Sequence, residues 1–168
     1  MMTHKEISIA YEEYRKGEIL GESEKELLDN AAKAASSAYA PYSKFNVGAA
    51  VRLSNGEIVS ANNQENAAFP SGLCAERVAI FYAHAKYPDA TIDSIAVTAM
   101  VNGKICKVPT YPCGACRQVM AESESRAGKP IKVIIGGEEV VQIMGGVSSL
   151  LPFIFDNQIG RASCRERV

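Results

Sequence analysis

The sequence predicts an α/β domain of three layers, with helices on both faces of a mixed central β-sheet. Three observations carry this expectation. Asn55-Gly56 stands between two strand-like runs, and Asn-Gly is the dipeptide best suited to a tight hairpin turn. After that hairpin, helix-like and strand-like segments alternate, as they do in layered α/β domains. The 168 residues are 47% hydrophobic, enough for one domain to bury a real core.

The elements follow in chain order. "SEKELLDNAAKAASSAY" (23–39) opens on a capping serine and sets Leu27, Ala31, Ala34, Ala35 and Ala38 at near-helical spacing, so it predicts a helix, closed by Pro41. "FNVGAAVRLSNGEIVSANN" (45–63) predicts the antiparallel hairpin. The pattern from Cys74 to about Lys86 is helical, with Pro88 just past its end, and "IDSIAVTAM" (92–100) is a β-branched run suited to a buried strand. A second such helix is expected from about Cys113 to Arg126. "PIKVIIGG" (130–137) reads as a buried strand and "EVVQIM" (139–144) as a further edge strand. The charged stretches "EYRKGE" (13–18) and "ESESRAGK" (122–129) read as solvated helix faces or turns.

There is no internal repeat, long linker or low-complexity tract, so a single domain is expected over residues 1–158. "GRASCRERV" (160–168) lacks apolar periodicity and clusters arginines; residues 159–168 are read as a flexible tail, native or acquired in cloning, and excluded from the core. The formal charge of −1 and pI near 6.2 lack the basic surface that nucleic-acid or anionic-membrane binding uses. The first thirty residues hold neither the apolar core of a signal peptide nor a membrane span, so the expected location is the cytoplasm. A small, neutral or weakly charged partner fits this chain better than nucleic acid or membrane.

Five cysteines, two of them in a C-x-x-C, suggest metal binding or redox work in a reducing compartment. Cys74 opens the first of the two later helices, while Cys113 and Cys116 of "PCGAC" open the second. Helix N-termini favour negative charge, lower thiol pKa and ready sulfur for metal. By itself Cys74 fits a buried small hydrophobe better than a ligand; beside the C-x-x-C and Glu76 the balance reverses and it becomes a candidate zinc ligand. Residues two apart on a helix point about 200° away from each other, which would separate Cys74 from Glu76. The objection weakens when an ion lies off the helix end, where first-turn side chains reach it from any azimuth.

Three protein ligands leave a tetrahedral position open for water, the mark of a catalytic rather than a structural zinc site. Three thiolates outweigh the ion's charge, so Arg77 is expected to donate to ligand sulfur and offset it. Cys106 and Cys164 are expected to be ordinary thiols, and His4 and His84 surface or satisfied residues. A fourth ligand at Cys106 would instead make the site closed and structural.

"CAER" (74–77) and "PCGACRQ" (112–118), with "AYAPYSKFNVGAA" (38–50), "NNQENAAFPSG" (62–72) and "LLPFIF" (150–155), resemble the small cytidine deaminases that use three cysteine ligands. The resemblance covers about residues 24–156 and extends the expected fold to a cytidine deaminase-like one. It implies hydrolytic deamination at C4 of the cytosine ring of cytidine and 2′-deoxycytidine, with one Zn²⁺ per subunit and a pyrimidine-salvage role. Glu76 would carry the proton from water to N3 and assist ammonia release. The Ala75 amide would contact the base O2, the Tyr111 carbonyl would accept from the 4-amino group, and Asn63 and Glu65 would hold the ribose 3′-hydroxyl.

By the same resemblance Phe45 and Phe155 would pack on the base, Phe155 in a neighbouring subunit's site, which implies a homotetramer. Tyr111 stands where relatives usually carry Ser or Thr, so its bulk bears on substrate fit. Two alternatives stay open: a deaminase of another aminopyrimidine nucleoside, of the blasticidin S type, and a non-catalytic protein with structural zinc. The Asn63-x-Glu65 pair favours cytidine over the former.

Overall fold

The computed structural model describes residues 2–156. The expectations for the tail and for Cys164 lie outside the described residues. The elements run β1 (Glu12–Arg15), α1 (Glu22–Ala35), β2 (Phe45–Leu53), β3 (Ile58–Asn62), α2 (Ala75–Lys86), β4 (Ile92–Val101), β5 (Lys104–Ile105), α3 (Gly114–Ala127), β6 (Lys132–Gly136) and β7 (Val140–Met144). Among the described residues the strands form one seven-stranded sheet in the order β1-β7-β6-β4-β2-β3, with β5 paired to β4. The β4–β6 pair is parallel, joined through α3, and the other pairs are antiparallel, so the sheet is mixed as expected.

The period-two alternation of the strands divides the core between the two faces. Val51, Ile95, Val97, Val133 and Ile135 pack with Ala79, Ile80 and Met120 of α2 and α3. Ala50, Ala96, Ile134 and Ile143 pack on the other side with Leu27 and Ala31 of α1. The result is the three-layer α/β/α arrangement. Central strands with both faces covered read as continuous apolar runs, which is why β4 and β6 stand out in the sequence.

Helix α1 buries Leu27, Ala31 and Ala35 and lies close on β2. A Cβ at Gly48 would fall 1.9 Å from the Ala31 carbonyl oxygen and 2.5 Å from the Ala35 nitrogen, so backbone rests directly on backbone. Gly48→Ala therefore forces the helix off the sheet, and we expect a loss of about 1–3 kcal/mol, read as a lowered urea midpoint with an unchanged m-value. An unaltered midpoint would show that α1 can shift without cost.

Five expectations need correction, in whole or in part. Helix α1 ends at Ala35, not Tyr39, because the Ser36 and Ser37 hydroxyls bond back to the Lys33 and Ala34 carbonyls and take the place of the next turn. Its N-cap is Gly21, not Ser23. "EYRKGE" is half turn and half strand: Lys16–Glu18 makes an exposed turn as expected, but Glu12–Arg15 forms a strand that pairs antiparallel with β7, Glu12 opposite Ile143 and Arg15 opposite Val140. That pairing makes β7 internal and moves the sheet edge to β1. "ESESRAGK" is only partly solvated, since Ser123 is buried and one carboxylate oxygen of Glu124 accepts from the Ile131 and Val147 amides.

Candidate metal centre and active site

Both later helices begin with a cysteine as N-cap. Cys74 (φ −70°, ψ 152°) and Cys113 (φ −67°, ψ 166°) are extended, and neither side chain caps its own helix. The sulfurs are therefore left for another partner. Cys116 lies in the first turn of α3 and is buried, while Cys113 is exposed. Because α2 and α3 sit side by side on one face of the sheet, their starts converge. The sulfurs of Cys74, Cys113 and Cys116 all lie within 4.8 Å of one another.

Zinc with Zn–S bonds near 2.3 Å and tetrahedral angles sets its sulfurs about 3.8 Å apart. The Cys74–Cys113 separation is 3.8 Å and the Cys113–Cys116 separation 3.4 Å, so the donors suit zinc in size as well as softness. Among the described residues the cluster holds these three donors and no fourth. Cys106 lies outside it, half-buried just past β5. The residues thus fit a three-ligand zinc site rather than a closed one.

Electrostatics divides the thiols. Hydrogen bonding from Cys116, ahead of that from Arg77 and Cys113, holds the Cys74 thiol down to about 5. Cys116 is pushed up, because it donates to Cys74 and is buried beside Glu76. The Arg77 guanidinium reaches the Cys74 sulfur at 3.9 Å, the contact that charge compensation requires, and its Nε is buried without a protein partner.

Glu76 is 4% exposed, an extreme burial for a carboxyl. Burial first, and the Cys74 charge after it, push its pKa up, while a hydrogen bond from its own backbone amide, then Cys116 and Arg77, partly offset the rise. A carboxyl so placed exchanges protons nearer neutrality than a solvated one. Ala75, the first residue of α2, is fully buried, and the first intrahelical bond is Val78 to Cys74, so the earlier amides have no partner within the helix.

The loop bearing Asn63 and Glu65 is pinned to the entrance of α2 by paired bonds between Gln64 and Leu73. Asn63 accepts from the Val47 amide at 2.7 Å and donates to the Phe45 carbonyl at 3.0 Å, so it fixes the half-buried Phe45. Glu65 accepts from the Tyr42 and Ser43 amides and the Ser43 hydroxyl, which lowers its pKa, the hydroxyl bond contributing most. Tyr111 precedes Cys113 by two residues, but its ring turns toward β7, where its hydroxyl donates to Gln142 at 2.5 Å. Phe155 is 73% exposed, its carbonyl held by Gln118 of α3.

Sequence reasoning missed Arg117, which donates to the Pro112 and Leu150 carbonyls and so ties the "PCGAC" loop to the "LLPFIF" segment. Its place directly after the C-x-x-C was the available signal. It also missed the structural work of Asn63 and Glu65, whose partners lie 16 to 23 residues away.

Comparison with known proteins agrees with this geometry. The model of the family described as "Cytidine and deoxycytidylate deaminase zinc-binding region" matches residues 21–129, which leaves β1, β6 and β7 outside the matched region. A cytidine deaminase of Halalkalibacterium halodurans is 43% identical over 96 residues, 57% of this chain and 68% of that protein. The crystal structure of cytidine deaminase from Burkholderia pseudomallei superposes with a TM-score of 0.66 at 35% identity, covering 78% of this chain and 98% of the other. The crystal structure of cytidine deaminase from Mycobacterium tuberculosis gives 0.62 at 30% identity, covering 79% and 96%.

Proposed function

The chain belongs to the cytidine and deoxycytidylate deaminase family, and on that premise we propose that it carries out zinc-dependent hydrolytic deamination of cytidine and 2′-deoxycytidine. The products are uridine, 2′-deoxyuridine and ammonia, in pyrimidine salvage. The observation that carries the reading is the buried Glu76 carboxyl beside a cluster of three, not four, cysteine sulfurs. Cys74, Cys113 and Cys116 would hold the metal, and zinc when bound supplies the Lewis acidity that makes water a nucleophile near neutral pH.

The remaining steps belong to protein groups. Glu76 takes one proton from the attacking water and delivers it to ring N3, then takes the second from the hydroxyl now on C4 and gives it to the amine as the C4–N bond breaks; its raised pKa suits both directions of transfer. The Ala75 amide orients the base through O2 and the Tyr111 carbonyl through the 4-amino group. Asn63 and Glu65 shape the sugar site by fixing Phe45 and residues 42–43. Each retains unused capacity, a second N–H on Asn63 and lone pairs on both, for the ribose 3′-hydroxyl. Phe45 packs on the base.

The homotetramer belongs to this reading too. Phe153 and Phe155 are exposed in the single chain, as are Phe81 and Tyr82 on α2, and such surface is covered when copies associate. No helix among the described residues is long and apolar enough to cross a membrane. We read the chain as one such domain over residues 1–158, working in the cytoplasm.

The test is direct. Zinc-replete protein mixed with cytidine is followed for ammonia release together with conversion to uridine; steady turnover is expected, and its absence from folded, zinc-loaded protein overturns the substrate assignment. Arg77 gives a finer check. Removing its positive charge raises the pKa of both Cys74 and Glu76, so the acid limb of the pH–activity profile moves upward. For Arg77→Ala we expect lower turnover and a shift of about one pH unit, with part of it restored in Arg77→Lys. An unchanged profile would remove Arg77 from the charge balance of the site.

A further inference from the structure

Gln142 lies on β7, 8% exposed, and a buried amide needs a donor for its oxygen and an acceptor for its nitrogen. Two distant parts of the chain meet those needs. Glu13 of β1 accepts from its Nε2 at 3.0 Å, and Tyr111, in the loop before the zinc cysteines, donates to its Oε1 at 2.5 Å. The orientation is fixed by chemistry: an ionised carboxylate only accepts, so Nε2 must face Glu13 and Oε1 must face the tyrosine. A tyrosine reaches across where a serine or threonine would fall short.

A second connection runs beside the first. After β1, the Lys16 amide donates to the Glu139 carbonyl at 2.9 Å, and its ammonium lies 3.0 Å from Glu138 and 3.7 Å from Glu139. The turn that holds these two glutamates is in turn bonded to the loop, Glu138 to the Cys106 carbonyl at 2.8 Å and Glu139 to the Lys107 carbonyl at 3.0 Å. Contact there is close: a Cβ on Gly137 would meet the Val108 carbonyl carbon at 2.7 Å. At its other end the loop is held by Arg117 on the Pro112 carbonyl.

We propose that strand β1 is a brace for the loop 106–112, acting through the relay Glu13–Gln142–Tyr111, and that Glu13 and Gln142 are positioning residues for the substrate's exocyclic amine. The inference rests on the reading above, in which the Tyr111 carbonyl meets that amine. When Glu13 is lost, Gln142 is released from its fixed orientation and Tyr111 loses its defined acceptor. The carbonyl two residues before Cys113 then samples more directions, and discrimination at the amine suffers before the metal site does.

The experiment uses the zinc-loaded full chain and reads two quantities. Amide hydrogen exchange of residues 106–112 should quicken about fivefold in Glu13→Ala, with the rest of the sheet beyond β1 and β7 unchanged, and return to the wild-type rate in Glu13→Gln, whose side-chain carbonyl still accepts. In parallel, kcat/KM for cytidine should fall about fivefold while that for N4-methylcytidine falls less, narrowing the preference between the two. Tyr111→Phe should reproduce both effects, and the double variant should add nothing to either single one.

Unchanged exchange in the loop, additive effects, or an equal rise in exchange across the whole sheet would overturn the brace. Altered exchange with unaltered discrimination would overturn its role toward the amine. A wild-type protein that turns over neither nucleoside would defeat the functional reading, and the exchange measurement would still decide the brace.

Discussion

Glu76→Gln should retain its zinc and its fold while kcat for cytidine falls by about 10³-fold or more, in the upper range of what a positioned acid–base group contributes. The substitution preserves shape and hydrogen-bonding capacity but cannot take up a proton. It should be tolerated, because the site at Glu76 is 4% exposed and already disfavours charge there. Zinc should remain, since Glu76 lies outside the three-sulfur cluster. The measurement pairs steady-state kinetics with zinc content and a melting curve on the same sample. Ordinary turnover would take the proton-carrier role from Glu76, and loss of zinc would recast it as a support for the cysteines.

The site and the fold that carries it rest on features that differ in how openly the sequence displays them. Asn55-Gly56, the apolar runs of β4 and β6, and the cysteines at two helix starts are local signals, fixed by turn chemistry, burial on both faces and helix-end electrostatics. The convergence of the sulfurs is not displayed in this way, because it depends on α2 and α3 lying on the same face of the sheet, which only the fold decides. Strand β1 was hidden because its residues, Glu-Glu-Tyr-Arg, carry no apolar alternation; backbone pairing with β7, more than 120 residues away, makes it a strand. The end of α1 was misjudged because Ser36 and Ser37 compete for helical carbonyls, which spacing alone does not register. Asn63 and Glu65 read as sugar ligands from their motif, but their bonds to residues 42–47 appear only once β2 and the loop after β3 are side by side.

Cys116→Ala should empty the metal site and, with it, activity, while the sheet and its helices persist. Cys116 is the fully buried member of the trio, 3.4 Å from Cys113, and two remaining thiols offer zinc only half of a tetrahedron. The core does not depend on the ion: Ala79, Ile80, Met120, Val97 and Val133 pack with one another, and Leu27, Ala31, Ala50 and Ala96 do so across the sheet. Zinc content should drop from about one per chain to under about a tenth, and turnover by about 10³-fold or more, because the metal held by the three cysteines would be what activates the attacking water. The melting temperature of the variant should stop responding to added zinc, whereas the wild-type protein stripped by chelator should regain both stability and turnover on reloading. Cys106→Ala, outside the cluster, should keep its zinc and activity. A Cys116→Ala chain that unfolds outright would point to a structural ion, and one that keeps its zinc would show that Cys74 and Cys113 recruit a donor other than Cys116.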